Sequence, residues 1–280
     1  MRTTALVLAV MVWCAGSSSA AAAEPAGDQA ALIQEVIRLS GLQDQLDRIP
    51  EQMQGQLEAH KDELSPAAST RIHAVMSSAF QRERLRASVA ETFSQHADAG
   101  RLQQAADWLR GPLGSRMTAL ELAASRPEAE AALRDFIEQL QAAPPSPARV
   151  VLAKRLSAAT SATDAAIKLM TVMVQGMAEA FDAAHGSGTS ASRQQVQAAL
   201  AQLRSQREVI EQGILIKLLF TYHDASEQEL ADCAAFWESD LGQWFSDLLV
   251  DAFIVALSGA SQEMARELAP LVNAPSAGGP

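Results

Sequence analysis

The sequence predicts an all-α protein, a helical bundle built from two tandem, diverged helical units. Three observations lead there. The composition is rich in Ala, Gln and Leu, with few β-branched runs and few turn-forming dipeptides, which is helical composition. Apolar residues recur at helical rather than strand spacing along most of the chain. A helical-hairpin pattern, with both helix starts marked, occurs twice, at Phe93 to Leu120 and at Phe220 to Leu249.

The chain opens with Arg2, an apolar run from Ala5 to Ala15, and small residues leading to Ala21-Ala22-Ala23. A basic start, a short apolar stretch and an Ala-x-Ala site read as a signal peptide over residues 1–23, cleaved near Ala23. The expected address is the periplasm or the outside of the cell. The run is too short to span a bilayer. Cys14 follows a bulky Trp13, which does not suit a lipid-attachment site. Losing Arg2 with the leader moves the formal charge from −11 to −12 and leaves Cys233 as the sole thiol of the two cysteines. One cysteine forms no internal disulfide. Such acidity excludes nucleic acid and anionic lipid surfaces as partners, since both select basic patches.

The first unit is placed at residues 24–143. Leu32, Ile33, Val36, Ile37 and Leu39 form an amphipathic segment that stops near Gly41. Leu42, Leu46, Ile49, Met53 and Leu57 continue as a second stripe, with Pro50 expected to kink or break it. Ser65-Pro66 combines a cap with a first-turn proline and opens the next helix. In the first hairpin, Asp98 caps a helix whose apolar face is Leu102, Ala105, Ala106 and Leu109. Trp108 lies beside that face, and Gly111-Pro112 restarts the chain as a second helix. Pro127 begins a short helix through Leu140.

Residues 144–147 (PPSP) form the linker, and the second unit is placed at 148–272. It starts with Val150, Val151 and Leu156. The triplet Arg155-Leu156-Ser157 aligns with Arg38-Leu39-Ser40, and Gln175-Gly176 with Gln54-Gly55. Ile167, Met170, Met173, Val174, Met177 and Phe181 follow, then a polar loop from His185 to Ser192 with no close counterpart in the first unit. In the second hairpin, Ser226 and Glu229 make a capping box, and Leu230, Cys233, Ala234 and Trp237 make the apolar face. Ser239 caps the next helix, with Asp240 in its first turn. The run from Trp244 to Leu257 is apolar nearly all round; Asp247 and Asp251 argue against a stable membrane span, so a buried central helix is expected. Residues 273–280 read as a disordered tail.

Both hairpins carry glycine early in their second helix, at Gly114 and Gly242. Glycine there costs about 0.5–1 kcal/mol against alanine unless something demands it. Either the missing Cβ permits close approach to the preceding helix, or the backbone takes positive φ. Close approach carries the expectation that Gly242→Ala destabilises modestly and Gly242→Leu by several kcal/mol, about the scale of overpacking.

These hairpins resemble a family of bacterial envelope domains of unknown function, numbered 2059. That family's hairpin runs from Phe through Glu-Leu to an aromatic pair, then Ser-Pro, a variable residue and Gly. The second copy has Phe220, Glu229-Leu230, Phe236-Trp237, Ser239 and Gly242, with Asp240 in the proline's place. The first copy has Pro112 and Gly114 but a single aromatic, Trp108. The resemblance implies an exported all-helical domain in two diverged copies. It implies no catalytic residues and no cofactor.

The residues themselves mark no chemistry. Asp224, Glu227, Glu229, Asp232, Glu238, Asp240, Asp247 and Asp251 mostly oppose the apolar stripes and read as a solvated face. The five histidines show no metal-ligand spacing; His96 and His223 stand at equivalent positions and read as packing or capping groups. No nucleophile elbow, phosphate loop or dinucleotide fingerprint occurs. Cys233, on an apolar helix face, reads as an inert buried thiol. Met170, Met173 and Met177 form a stripe that fits a core or the lining of an apolar pocket. The expected function is therefore an exported binding or interaction protein of the envelope, engaging an envelope protein or an apolar small molecule. The alternatives are a dedicated carrier of a small apolar ligand or lipid, an envelope-polymer hydrolase with an acidic site, and a purely structural stress-tolerance protein.

Overall fold

The computed structural model describes residues 26–59, 66–185 and 190–272. The expected signal peptide, residues 186–189 of the loop read from His185 to Ser192 and the expected tail lie outside the described residues. The helices are α1 (Ala26–Leu39), α2 (Leu42–Ala59), α3 (Pro66–Ala79), α4 (Arg82–His96), α5 (Ala99–Arg110), α6 (Pro112–Ala124), α7 (Ala129–Ala142), α8 (Pro147–Ala159), α9 (Ala162–His185), α10 (Ser190–Ser205), α11 (Arg207–Thr221), α12 (Glu227–Glu238) and α13 (Asp240–Val272). The fold is an all-α bundle, and no strand occurs among the described residues. Helix α2 runs on through Pro50, so the expected break is absent.

Packing contacts recur in parallel order along the two halves. Helix α1 packs on α2, α4 and α5, as α8 packs on α9, α11 and α12; α2 meets α3 and α4 as α9 meets α10 and α11. Each first corner is turned by a single left-handed residue, Gly41 at φ 73° and Ser161 at φ 48°. The hydrogen bonds agree: Gly41 N–H donates to Arg38 O and Ser161 N–H to Ala158 O, while Gln45 and Ala165 return bonds to the carbonyls of Gly41 and Ser161. Arg155 therefore stands where Glu35 stands. The triplet alignment expected from sequence is three residues out of register, because helix position follows the buried face. Val36 and Leu156 share that face. An ion pair makes the same point with its charges exchanged. Arg110 on α5 holds Glu35 on α1 through Nε and Nη2, at 3.0 and 2.6 Å. Arg155 on α8 holds Glu238 on α12 through the same atoms, at 2.9 and 2.7 Å.

The two hairpins, α5–α6 and α12–α13, are built alike. The Asp98 side chain accepts from Arg101 N–H, and Ser226 and Glu229 complete a capping box. The linking residues share one extended conformation, Gly111 at φ −61°, ψ 158° and Ser239 at φ −72°, ψ 157°. Gly41 is the one glycine with positive φ among the described residues, so close approach is what Gly114 and Gly242 provide. A Cβ on Gly114 would stand 2.3 Å from Trp108 O, and one on Gly242 2.1 Å from Phe236 O.

The hairpins then cross each other reciprocally. Trp108 and Phe236, equivalent residues, stack with centroids 3.7 Å apart and planes 7° from parallel. Phe245 of α13 joins the core of Leu102, Ala105, Ala106 and Leu109, whereas Met117 of α6 joins the cluster of Leu230 and Cys233. Arg116 of α6 pairs with Glu229 of α12 at 2.7 Å, and Arg101 of α5 lies over the Trp244 ring of α13. Such i-to-j and j-to-i contacts are the mark of a local two-fold relation.

Helix α13 is the central element. It packs on α3, α4, α5, α9 and α12, and Phe245, Leu248, Ala252, Ala256, Leu257 and Ala260 complete the core that α1 to α5 begin. By length and composition, Asp240–Glu267 would suffice to cross a membrane; here it packs on five helices, with 44% of its apolar stretch buried.

Two substitutions test this geometry. The obstacle at Gly242 is backbone, which cannot rotate away, so Gly242→Ala should already cost about 3 kcal/mol, and Leu only somewhat more. This replaces the mild alanine effect expected from sequence; a loss under about 1 kcal/mol in chemical denaturation would contradict it. Ser161→Gly should stabilise by about 0.5–1 kcal/mol, because a left-handed L-residue carries a Cβ penalty that glycine lacks. An unchanged or lowered denaturation midpoint would count against a strained corner.

Candidate functional site

Where the hairpins cross, the packing leaves a cavity of about 280 Å³. Glycine-enabled approach pulls the first helices together at Trp108 and Phe236, and α6 and α13 diverge on either side. The walls are Trp108 and Leu109 from α5, Trp237 from α12, and Phe245, Leu249 and Phe253 from α13. Leu42 and Gln45 of α2 and Ala165, Ala166 and Leu169 of α9 complete them. Helix α6 contributes Met117, Thr118 and Glu121. A second cavity, of about 470 Å³, adjoins the first and shares Gln45, Glu121, Trp237 and Phe253 with it. Arg48, Lys217 and Tyr222 also line the second cavity.

Glu121 is the polar centre of this region. Protein surrounds its carboxyl, and what surface it keeps faces the two cavities. Oε1 accepts a hydrogen bond from the Tyr222 hydroxyl at 2.5 Å. Burial pushes the Glu121 carboxyl above its ordinary value, with the Tyr222 bond opposing. Tyr222 is buried, and its hydroxyl is raised well above its usual range by desolvation and by the adjacent carboxyl. Arg149 fixes the turn that carries it, donating to the carbonyl oxygens of Tyr222 and Ala225. Cys233, fully buried nearby, has its thiol pushed up to about 12 by burial. At that value the nucleophilic thiolate is negligible near neutral pH, as expected for an inert thiol.

The methionine stripe does not line this cavity, which corrects the expected pocket. Met170 and Met173 are 41% and 43% exposed; α9 turns Ala165, Ala166 and Leu169 inward instead. The side chain of Met177 lies outside the described residues. Of the hairpin motif residues, Trp108, Phe236 and Trp237 meet at the crossing, with Gly114 against Trp108 and Gly242 against Phe236. Pro112 and Ser239 sit at the hairpin turns, and Asp98, Ser226 and Glu229 cap the starts of α5 and α12. Trp108 and Trp237 also face the cavity. Acidic residues of the second hairpin are engaged elsewhere. Glu229 caps α12 and is held below the usual carboxylate range by Ser226, Glu238 is held low by Arg155, and Asp251 meets Lys168 at 2.6 Å. No group of three His, Cys, Asp or Glu placed to hold a metal occurs among the described residues. His223 stacks on Phe220 and its Nδ1 lies 2.6 Å from Phe220 O, a packing and capping role.

Sequence reasoning missed Glu121 and Tyr222. Two signals were present: Met117, Thr118 and Glu121 share one face of α6, and Tyr222 is the only tyrosine in the chain.

The raised carboxyl makes a pH prediction. The folded protein retains the Glu121 proton above pH about 4.5, where the unfolded chain has released it. The native state then binds more protons, so this residue lowers stability as pH rises from the ordinary value through the raised one. Glu121→Gln keeps a partner for Tyr222 and lacks this dependence. Its stability relative to the parent should improve between pH about 4 and pH about 7, with the other carboxylates cancelling in the comparison. Urea denaturation at both pH values decides, and a constant difference would refute burial as the dominant influence.

Searches against protein-family models, curated proteins and solved structures find no match to this chain.

Proposed function

We propose that the chain is an exported binding protein of the bacterial envelope, and that it carries a small, largely apolar molecule in the cavity at the hairpin crossing. The observation that carries this reading is the cavity itself: about 280 Å³, walled by two tryptophans, two phenylalanines and aliphatic side chains, with one convergent acid. Small-molecule sites are apolar concavities with few polar groups, beginning at about 300 Å³, and the adjoining space extends this one. Export rests on the leader read in residues 1–23, and the envelope assignment on the hairpin residues shared with the family of unknown function. Duplication of one ancestral unit accounts for the matching corners, the charge-exchanged ion pair and the reciprocal crossing. A hydrolase using the second hairpin's acids is less well supported, since Glu229, Glu238 and Asp251 already serve a cap and ion pairs.

Organic extraction of protein purified from its native host, followed by mass spectrometry, tests the carrier reading. A small amphipathic molecule should be recovered at near-stoichiometric amount from the parent. It should be lost from Ala166→Phe, which places a ring in the cavity, with thermal denaturation confirming that the variant folds. Recovery of nothing from the parent, or equal recovery from a folded variant, would count against this cavity as the carrier site.

A further inference from the structure

The ionisable lining of the smaller cavity is unusually simple. Glu121 is its single ionisable residue, and no Lys, Arg or His reaches it. The carboxyl has one hydrogen bond, from Tyr222 to Oε1. Among the described residues Oε2 has no protein partner and no cation stands against the group, whose value is set by burial and by Tyr222. A carboxyl placed in low dielectric without a counter-charge is costly unless something else completes it. Arg48, which with Lys217 lines the adjoining cavity, donates from Nη1 to Ser125 Oγ at 2.6 Å.

We propose that the ligand of this cavity is an amphipathic organic cation, an alkylammonium-type molecule whose charged head pairs with Glu121 while its chain lies among Trp108, Trp237, Phe245 and Phe253. This deepens the carrier reading and rests on it. Burial favours the protonated carboxyl and the Tyr222 bond opposes it; an ammonium head supplies the counter-charge that stabilises the ionised form, with Oε2 accepting from its N–H. An ion pair excluded from water is much stronger than one at the surface, and aromatic rings attract organic cations further. A fatty acid finds no cation in the smaller cavity to receive its carboxylate; Arg48 and Lys217 line only the adjoining one. A neutral alcohol fits the apolar walls but leaves the acid without a counter-charge.

The test is a titration of the full mature protein with n-octylamine, 1-octanol and octanoate near neutral pH and fixed salt, read by isothermal calorimetry. Octylamine should bind at least about tenfold tighter than octanol, a difference of about 1.4 kcal/mol, with octanoate weakest. Glu121→Gln, checked for folding by thermal denaturation, should reduce the amine-to-alcohol ratio to within about threefold. Asp251→Asn removes an exposed acid that does not line the smaller cavity and should leave the ratio at its parent value. Octanol binding as tightly as octylamine would overturn the cation proposal while leaving the carrier reading in place. Binding of none of the three would overturn both. A ratio unchanged in Glu121→Gln, or lost in Asp251→Asn, would assign the preference to the acidic surface and remove Glu121 from it.

Discussion

The contact of Trp108 with Phe236 is the constraint on which the rest of the structure depends. Those rings reach 3.7 Å only because each hairpin closes tightly, and each closes tightly because Gly114 and Gly242 carry no Cβ to strike a carbonyl oxygen of the preceding helix. Once the first helices are joined at that stack, the second helices must pass to opposite partners. Phe245 then lands on α5 and Met117 on α12. The space left between the diverging helices is the cavity. Removal of glycine at either hairpin thus acts on the cavity through backbone placement, without touching its lining.

The reciprocal frame is symmetric, but what hangs on it is not. Helix α6 has 13 residues and α13 has 33, so one half contributes a short wall and the other the central rod. The polar group has also been placed on one side. Glu121 on α6 corresponds to Leu249 on α13, and both face the same cavity. A symmetric pair of acids would repel at this range; a single acid with an apolar counterpart keeps one charge to satisfy. The Glu35–Arg110 and Arg155–Glu238 pairs show a milder asymmetry, with the geometry matched and the charges exchanged.

How much was legible in the sequence follows the range of the interaction. The caps at Asp98 and Ser226 and the faces Leu102-Ala105-Ala106-Leu109 and Leu230-Cys233-Ala234 are set by neighbours within a few residues, and they were readable. The fold class followed from them. Glu121 and Tyr222 are 101 residues apart in the chain, and nothing local announces that they meet. The methionine stripe misled because spacing shows that Met170 and Met173 share a face, not which face a neighbour covers. The register of α8 was misread by matching three letters, when the left-handed corner at Ser161 and the buried Leu156 set the position.

The place of α13 has a consequence for how the chain acquires its structure. Val89 and Phe93 on α4, and Leu102 on α5, share a core with α13, the last of the described helices in chain order. Loop closure over so long a separation is slow, and until it occurs the amino-terminal half holds an apolar face with no lid. An apolar face left open until α13 joins it is the kind of transient surface on which partly folded chains associate.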